Sequence, residues 1–166
     1  MSTAAENKAT IQRLFDQFYG QRQTQLADQI FAPSGVMHDS MQGDQMLTPA
    51  EVQQGYQAQL AQNPNFQMTL LHSVAEGDLV AYHWQIAGTQ PTGQSFSARG
   101  MTMARFDATG KIAELWRVFD QYTMMAQLSQ VAGVAGMQGG PATTGRWKVT
   151  TGGSDDTDWS SSSSDE

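Results

Sequence analysis

Hydrophobic side chains near the start of the chain recur at the spacing of a helix, whereas later ones alternate with polar side chains as in a strand. The first stripe follows the i, i+3, i+4, i+7, i+8 pattern of an amphipathic helix and contains Ile11, Leu14, Phe15, Phe18 and Tyr19. Gly20 and the polar residues 21–24 end it. Residues 26–31 predict a short second helix that stops before Pro33, because proline disfavours helical backbone in the residue before it.

A third helix carries its own start signal. Thr48 is a hydroxyl N-cap, Pro49 takes the first helical position, and Glu51 places a carboxylate three residues after the cap, so the free amides of the first turn are satisfied. The residues that we expect this helix to bury are Val52, Tyr56 and Leu60. Before it, residues 36–39 predict a brief strand.

From residue 66 onward the pattern changes to that of strands. Four runs rich in aromatic or β-branched residues cover 66–73, 79–89, 94–107 and 111–121, and a short helix follows at 122–128. The turns between these runs are short, which predicts antiparallel hairpins. Helices first and strands later is the α+β pattern, with the helices gathered on one face of a curved antiparallel sheet.

Residues 132–166 differ in composition from the rest. They are rich in glycine, serine and acidic residues, and such segments cannot bury enough apolar surface to offset chain entropy. We therefore predict one folded domain over residues 1–131 and a disordered acidic tail over 132–166.

Charge and composition narrow the classes of partner. The formal net charge is -7, which argues against binding to nucleic acid or to an anionic membrane surface. The chain opens without a secretory signal pattern, and no segment reaches the roughly 20 apolar residues of a membrane helix, so we expect a cytoplasmic protein. Cysteine is absent, and the three histidines lack metal-ligand spacing, so we expect no metal and no cofactor.

Several short motifs resemble those of the SnoaL-like polyketide cyclases, within the broader group of folds like nuclear transport factor two. They are the turns and strand ends at 76–78, 88–89, 91–94, 110–112, 116–120 and 127–128, within a match that covers residues 7–130. The resemblance implies a cone-shaped curved sheet with helices packed across it, enclosing an apolar cavity. It also implies a homodimer and a small apolar ligand or substrate.

The resemblance locates a catalytic pair that this chain lacks. The cyclases carry an acid/base Asp directly after the position of Trp116 and a His on the preceding strand. Here the corresponding residues are Arg117 and, by our alignment, Thr102. Neither can accept a proton from carbon at neutral pH. The founding reaction is therefore not expected.

Two other acidic positions are candidates for catalysis. Asp120 matches the family's recurrent Asp at a strand end; it is either the N-cap of the last helix or a cavity carboxylate beside Trp116. Asp39, next to His38, lies at a place in the fold similar to that of the base of ketosteroid isomerases. The alternative is an exposed turn pair with Asp39 in an Asx-turn.

These observations support two hypotheses. The first is an enzyme that transfers protons on an apolar carbonyl or polyketide-like compound, with Asp39 or Asp120 as the base and His38 or Arg117 in support. The second is a non-catalytic ligand-binding or assembly module that uses the same cavity. The expected ligand-binding residues are Tyr56, Tyr82, Trp84, Met101, Met103 and Trp116. Alternation places Tyr82 and Trp84 on one strand face but does not say which face is inside.

Overall fold

A computed structural model describes residues 1–129 of the 166-residue chain. The tail predicted at 132–166 lies outside the described residues. No helix within the described part is long and apolar enough to cross a membrane.

The N-terminal helical region changes type along its length. Helix α1 (Ala4–Arg13) begins with a capping box in which Thr3 and Glu6 bond each other's backbone amides. It continues as a π-helix over Leu14–Gly20, and a 3₁₀ turn (Thr24–Leu26) then leads into α2 (Ala27–Ile30). The predicted apolar stripe is buried at Ile11, Leu14, Phe15 and Phe18.

The next segment contains more strand than the sequence indicated. Strand β1 spans Phe31–Asp39, and strand β2 (Gly43–Met46), which the sequence did not predict, folds back on it. The proline at position 33 is tolerated because the pairing of β1 with its other neighbour is irregular between Phe31 and Val36.

The remaining elements follow the predicted order. Helix α3 (Pro49–Gln62) has the predicted capping box at Thr48 and Glu51. Strands β3 (Gln67–Glu76), β4 (Leu79–Thr89), β5 (Ser95–Phe106) and β6 (Ile112–Phe119) come next. Helix α4 (Gln121–Ser129) closes the described part.

Within the described residues the strands form a six-stranded sheet in the order β2-β1-β6-β5-β4-β3. Strands β3 to β6 make an antiparallel meander, whereas β1 pairs with β6 in parallel. The predicted α+β class with helices on one face of a curved sheet is confirmed. The parallel pair was not predicted, and it places the first strand of the chain directly beside the last.

The inner face of the sheet is defined most clearly by β5. Its residues alternate strictly between exposed and buried, and the buried ones include Phe96, Ala98, Thr102, Ala104 and Phe106. The helices cover this face and form the core with it. Gly100 belongs to the same row, and a Cβ there would overlap the Trp84 ring, so the glycine makes room for the indole.

Candidate functional site

A cavity of about 770 Å³ lies between the inner face of the sheet and the helices. Its apolar wall includes Phe15, Phe31, Phe66, Met68 and Leu115. The cavity meets solvent where it is lined by the polar residues Gln42, Gln45, Glu51 and Gln59 and by the exposed Met46. The space is large enough for a ring compound of drug size.

Four polar residues cross the otherwise apolar inner face in one continuous line. Tyr82 on β4 pairs with Thr102 on β5, Thr102 pairs with Arg117 on β6, and Arg117 pairs with Asp39 on β1. We call these four residues the polar row. Because paired residues in neighbouring strands point to the same face, the side chains of the row lie side by side.

Asp39 and Arg117 form an ion pair at one end of the polar row. The Nε of Arg117 donates to the Oδ2 of Asp39 at 2.7 Å, while the amides of Met41 and Gln42 donate to Oδ1 at 2.9 and 3.0 Å. Burial acts to raise the pKa of Asp39, but these three hydrogen bonds outweigh it and hold the pKa below its ordinary value. The Asp39 side chain is only 1% exposed, so it holds Arg117 in place and is closed to a ligand.

Arg117 also lines the cavity. Its side chain is 32% exposed and lines the cavity wall, where the guanidinium lies 6.0 Å from the Phe119 ring centroid. Within residues 1–129 its two terminal nitrogens have no hydrogen-bond partner. These donors are therefore available to an acceptor on a ligand.

Two tyrosines flank Arg117 in the cavity. Burial raises the pKa of Tyr19 to about 12, although the Arg117 guanidinium opposes the shift. Burial and the neighbouring Tyr19 also raise the pKa of Tyr82 above its ordinary value, against opposing effects of Thr102 and Arg117. Both phenols are therefore neutral at physiological pH and can donate hydrogen bonds.

The supporting contacts fix the aromatic side chains of the cavity. The Nε1 of Trp84 donates to the Thr102 hydroxyl at 2.9 Å, in a fully buried contact. The Tyr56 hydroxyl donates to the carbonyl of Tyr19 at 2.8 Å, which ties α3 to the π-helix. Tyr19 was missing from the expected site residues; the helical stripe contained it, but nothing in the sequence indicated a π-helix.

The structure divides the expected site residues between two faces of the sheet. Four of them line the cavity, namely Tyr56, Tyr82, Trp84 and Arg117. Four others lie on the outer face, namely His38, Met101, Met103 and Trp116, and this corrects the expectation that they contact the ligand. The reason is alternation: since Arg117 points inward, its neighbour Trp116 points outward.

On the outer face Trp116 lies between two cationic or ionisable side chains. The His38 ring stacks on it at 5.5 Å between centroids, and the Arg105 guanidinium lies 5.2 Å from its centroid. His38 also bonds Asp44 through Nδ1 at 2.7 Å and Glu114 through Nε2 at 2.8 Å. His38 and Asp39 are adjacent in sequence, and their side chains therefore lie on opposite faces of the sheet.

Asp120 lies outside the cavity at the start of α4. Its Oδ1 accepts from the backbone amide of Thr123 at 2.9 Å, which is the N-cap arrangement. Hydrogen bonds from the Thr123 side chain and backbone lower the pKa of this exposed carboxyl. The role of cavity base beside Trp116 is therefore not available to Asp120. No group of three or more potential metal ligands is present within the described residues.

The chain was compared with known families and structures. The family model described as SnoaL-like polyketide cyclase matches residues 9–128. IdmH from Streptomyces antibioticus, a candidate polyketide cyclase, is 26% identical with a TM-score of 0.65, covering 74% of this chain and 98% of its own. No curated protein matches the chain.

Two further solved structures share the fold at lower identity. A candidate polyketide cyclase from Acidithiobacillus ferrooxidans is 21% identical with a TM-score of 0.67, covering 78% of this chain and 99% of its own. AclR from Streptomyces galilaeus, a candidate hydroxylase, is 23% identical with a TM-score of 0.65, covering 78% of this chain and 84% of its own.

Proposed function

Since the chain belongs to the SnoaL-like polyketide cyclase family, we propose that it is an enzyme that moves a proton next to the carbonyl group of an apolar small molecule. One observation carries the proposal: Arg117, whose terminal nitrogens are unpaired within the described residues, lines a cavity of about 770 Å³. Two neutral phenols, Tyr19 and Tyr82, line the same cavity.

In the proposed reaction the substrate carbonyl oxygen accepts a hydrogen bond from Arg117. The C–H bond next to the carbonyl breaks, its proton passes to a water molecule in the cavity, and the electron pair moves onto the carbonyl oxygen as an enolate. Preplaced donors stabilise charge that develops at such an oxygen more than they stabilise the ground state. The enolate carbon then takes a proton back from the hydronium ion, and the carbonyl forms again. Alternatively, the enolate carbon bonds to a second carbonyl carbon of the same molecule, whose C=O π electrons move onto its oxygen, and that oxygen takes the proton.

Asp39 acts in this proposal as a positioning residue and not as the base that the sequence suggested. Its carboxylate is closed to the cavity and its pKa is lowered, which makes it a weak proton acceptor. Its contact with Nε leaves the terminal nitrogens of Arg117 without a partner within the described residues. Loss of Asp39 would free the guanidinium to rotate.

The test is deuterium exchange from heavy water into the methyl ketone 2-acetonaphthone, followed by mass spectrometry. We expect Arg117→Gln to slow the exchange by about 10²-fold, the cost of losing one oxyanion donor. Asp39→Asn is expected to slow it less, because the guanidinium remains. Asp120→Asn is the matched control and should exchange like the wild type, since Asp120 lies outside the cavity. Equal rates in all four proteins would refute the proposed activity.

The second candidate function is ligand binding without catalysis. This function is favoured because, within the described residues, the acidic side chain that lines the cavity is Glu51. That carboxylate is engaged in the α3 capping box, so it does not serve as a free base. Native mass spectrometry after mild purification distinguishes the two. A retained apolar compound together with zero exchange supports binding, whereas exchange by an empty protein supports catalysis.

We also propose that the chain forms a homodimer through the outer face of the sheet. An outer apolar patch, defined by Val74, Met101, Met103, Trp116 and Val118, surrounds a groove of about 390 Å³. Exposed apolar area of this kind is typical of association surfaces. The family resemblance favours a second copy of the chain as the occupant.

A further inference from the structure

The donor and the acceptor can be assigned in the hydrogen bond that Thr102 of the polar row makes with Trp84. An indole N–H can only donate, so the 2.9 Å contact between Trp84 and Thr102 makes the Thr102 oxygen an acceptor. A threonine hydroxyl also carries one hydrogen of its own. Because this hydroxyl is buried, that hydrogen needs an acceptor inside the protein.

The sheet places Tyr82 in position to accept that hydrogen. Tyr82 is the residue directly opposite Thr102 across β4 and β5, and both side chains point inward. A hydrogen bond with Thr102 acts to lower the pKa of Tyr82, as expected when the phenol oxygen accepts. The phenol's own hydrogen then remains, and within residues 1–129 no protein acceptor takes it.

Arg117 approaches the same place from the other side of Thr102. It pairs with Thr102 across β5 and β6, and its charge acts on both Tyr82 and Tyr19. The carboxylate of Asp39, the other charge of the row, is bound by Arg117 and two backbone amides, which disperse it. Tyr82 and Arg117, which both line the cavity, therefore offer donors there without a competing free acceptor in the polar row.

We infer that Tyr82 and Arg117 together bind one ionised oxygen of an apolar ligand, a phenolate or enolate, and that Thr102 is the positioning residue that aligns Tyr82. The inference rests on the proposed function in that it places the ligand oxygen at Arg117. It adds that the site, before any reaction, prefers ligands whose oxygen is already acidic and binds them as anions.

The probe is 4-nitrophenol, whose anion is coloured, with 4-nitroanisole as the neutral compound of similar shape. We expect the wild type to bind 4-nitrophenolate about tenfold more tightly than 4-nitroanisole, the gain typical of charge-assisted hydrogen bonds. Bound 4-nitrophenol should also ionise at lower pH than the free compound. Both quantities come from absorbance titrations without turnover.

Substitutions at Thr102 test the proposed series of hydrogen bonds from Trp84 through Thr102 to Tyr82. Thr102→Val keeps the shape and removes the hydroxyl, so the preference for the anion should fall about fivefold, while 4-nitroanisole binds as before and reports an intact cavity. Thr102→Ser keeps the hydroxyl and should keep the preference. Tyr82→Phe should lose as much as Thr102→Val or more. Thr69→Val makes the same change at an exposed strand position and should behave like the wild type.

Two results would overturn the inference: equal affinity of the wild type for the anion and the neutral compound, or an unchanged preference in both Thr102→Val and Tyr82→Phe. These outcomes are separate from those of the exchange experiment. If exchange into 2-acetonaphthone persists while the preference for the anion is absent, this inference fails and the proposed function stands. If the preference is present while exchange is absent in every protein, the proposed function fails and the anion site stands.

Discussion

At the scale of single residues, neighbours on one strand have opposite environments. Trp116 stacks between His38 and Arg105 on the outer face, whereas Arg117 lines the cavity one position later. The family motif draws attention to Trp116, but the residue after it is the one that lines the cavity. The same alternation on β1 separates His38 from Asp39.

The outer-face histidine predicts a dependence of stability on pH. Hydrogen bonds to Glu114 and Asp44 raise the pKa of His38 above 6.5, its value in the unfolded chain. The stabilisation is therefore fully present below that value and is lost as the pH rises through the higher folded pKa. We expect the urea midpoint of the wild type to fall between about pH 6 and about pH 8.

His38→Gln is the variant that assigns this effect. Glutamine keeps a hydrogen-bonding side chain but does not titrate, so the fall between the two pH values should shrink in the variant. A fall of the same size in both proteins would show that His38 does not contribute.

At the scale of elements, α3 and the π-helix form the cover of the cavity. Tyr56 on α3 bonds the carbonyl of Tyr19, and the rings of these residues lie 5.1 Å apart. Helix α3 is short of buried residues, with Tyr56 as its buried one. Its ends are therefore important to its stability.

The capping box of α3 gives a prediction at this scale. Thr48→Ala removes the hydroxyl that accepts from the Glu51 amide, and we expect the free energy of unfolding to fall by about 1 kcal/mol. Urea denaturation measures the change. Thr48→Ser is the matched control, because it keeps the accepting oxygen and should retain most of the stability. Equal losses in both variants would mean that the methyl group matters and the cap does not.

At the scale of the whole molecule, the sheet separates two kinds of surface. The inner face encloses the cavity and the polar row, while the outer face carries the outer apolar patch. A ligand in the cavity and a second copy on the patch can therefore bind at the same time. The shared element is β6, which contributes Arg117 to one face and Trp116 to the other.

The proposed homodimer predicts a change of mass on substitution in the patch. Met101→Asp places a charge within the outer apolar patch, and we expect the particle mass from light scattering to fall from two chains to one. Met41→Asp makes the same change at an exposed methionine between β1 and β2, and should leave the dimer intact. A wild type of one chain mass, or a Met101→Asp protein that stays dimeric, contradicts the proposed interface.

The sequence by itself determined the features that depend on neighbours along the chain. The apolar stripe of α1, the capping box of α3 and the hairpins of β3 to β6 follow from periodicity and turn chemistry, which are local. The family was indicated by the resemblance of its short motifs. The sequence did not predict strand β2 or the full length of β1. Pro33 and a polar turn argue against a strand unless a partner strand supplies the hydrogen bonds.

Only the tertiary structure decided the site. The direction in which Tyr82 and Trp84 face depends on where the helices pack, and alternation is the same for either choice. The ion pair of Asp39 and Arg117 joins residues 78 positions apart, through the parallel pairing of β1 and β6. Such contacts come from the packing of whole elements, so patterns read along the chain could name Arg117 but could not place it beside Asp39, Thr102 and Tyr82.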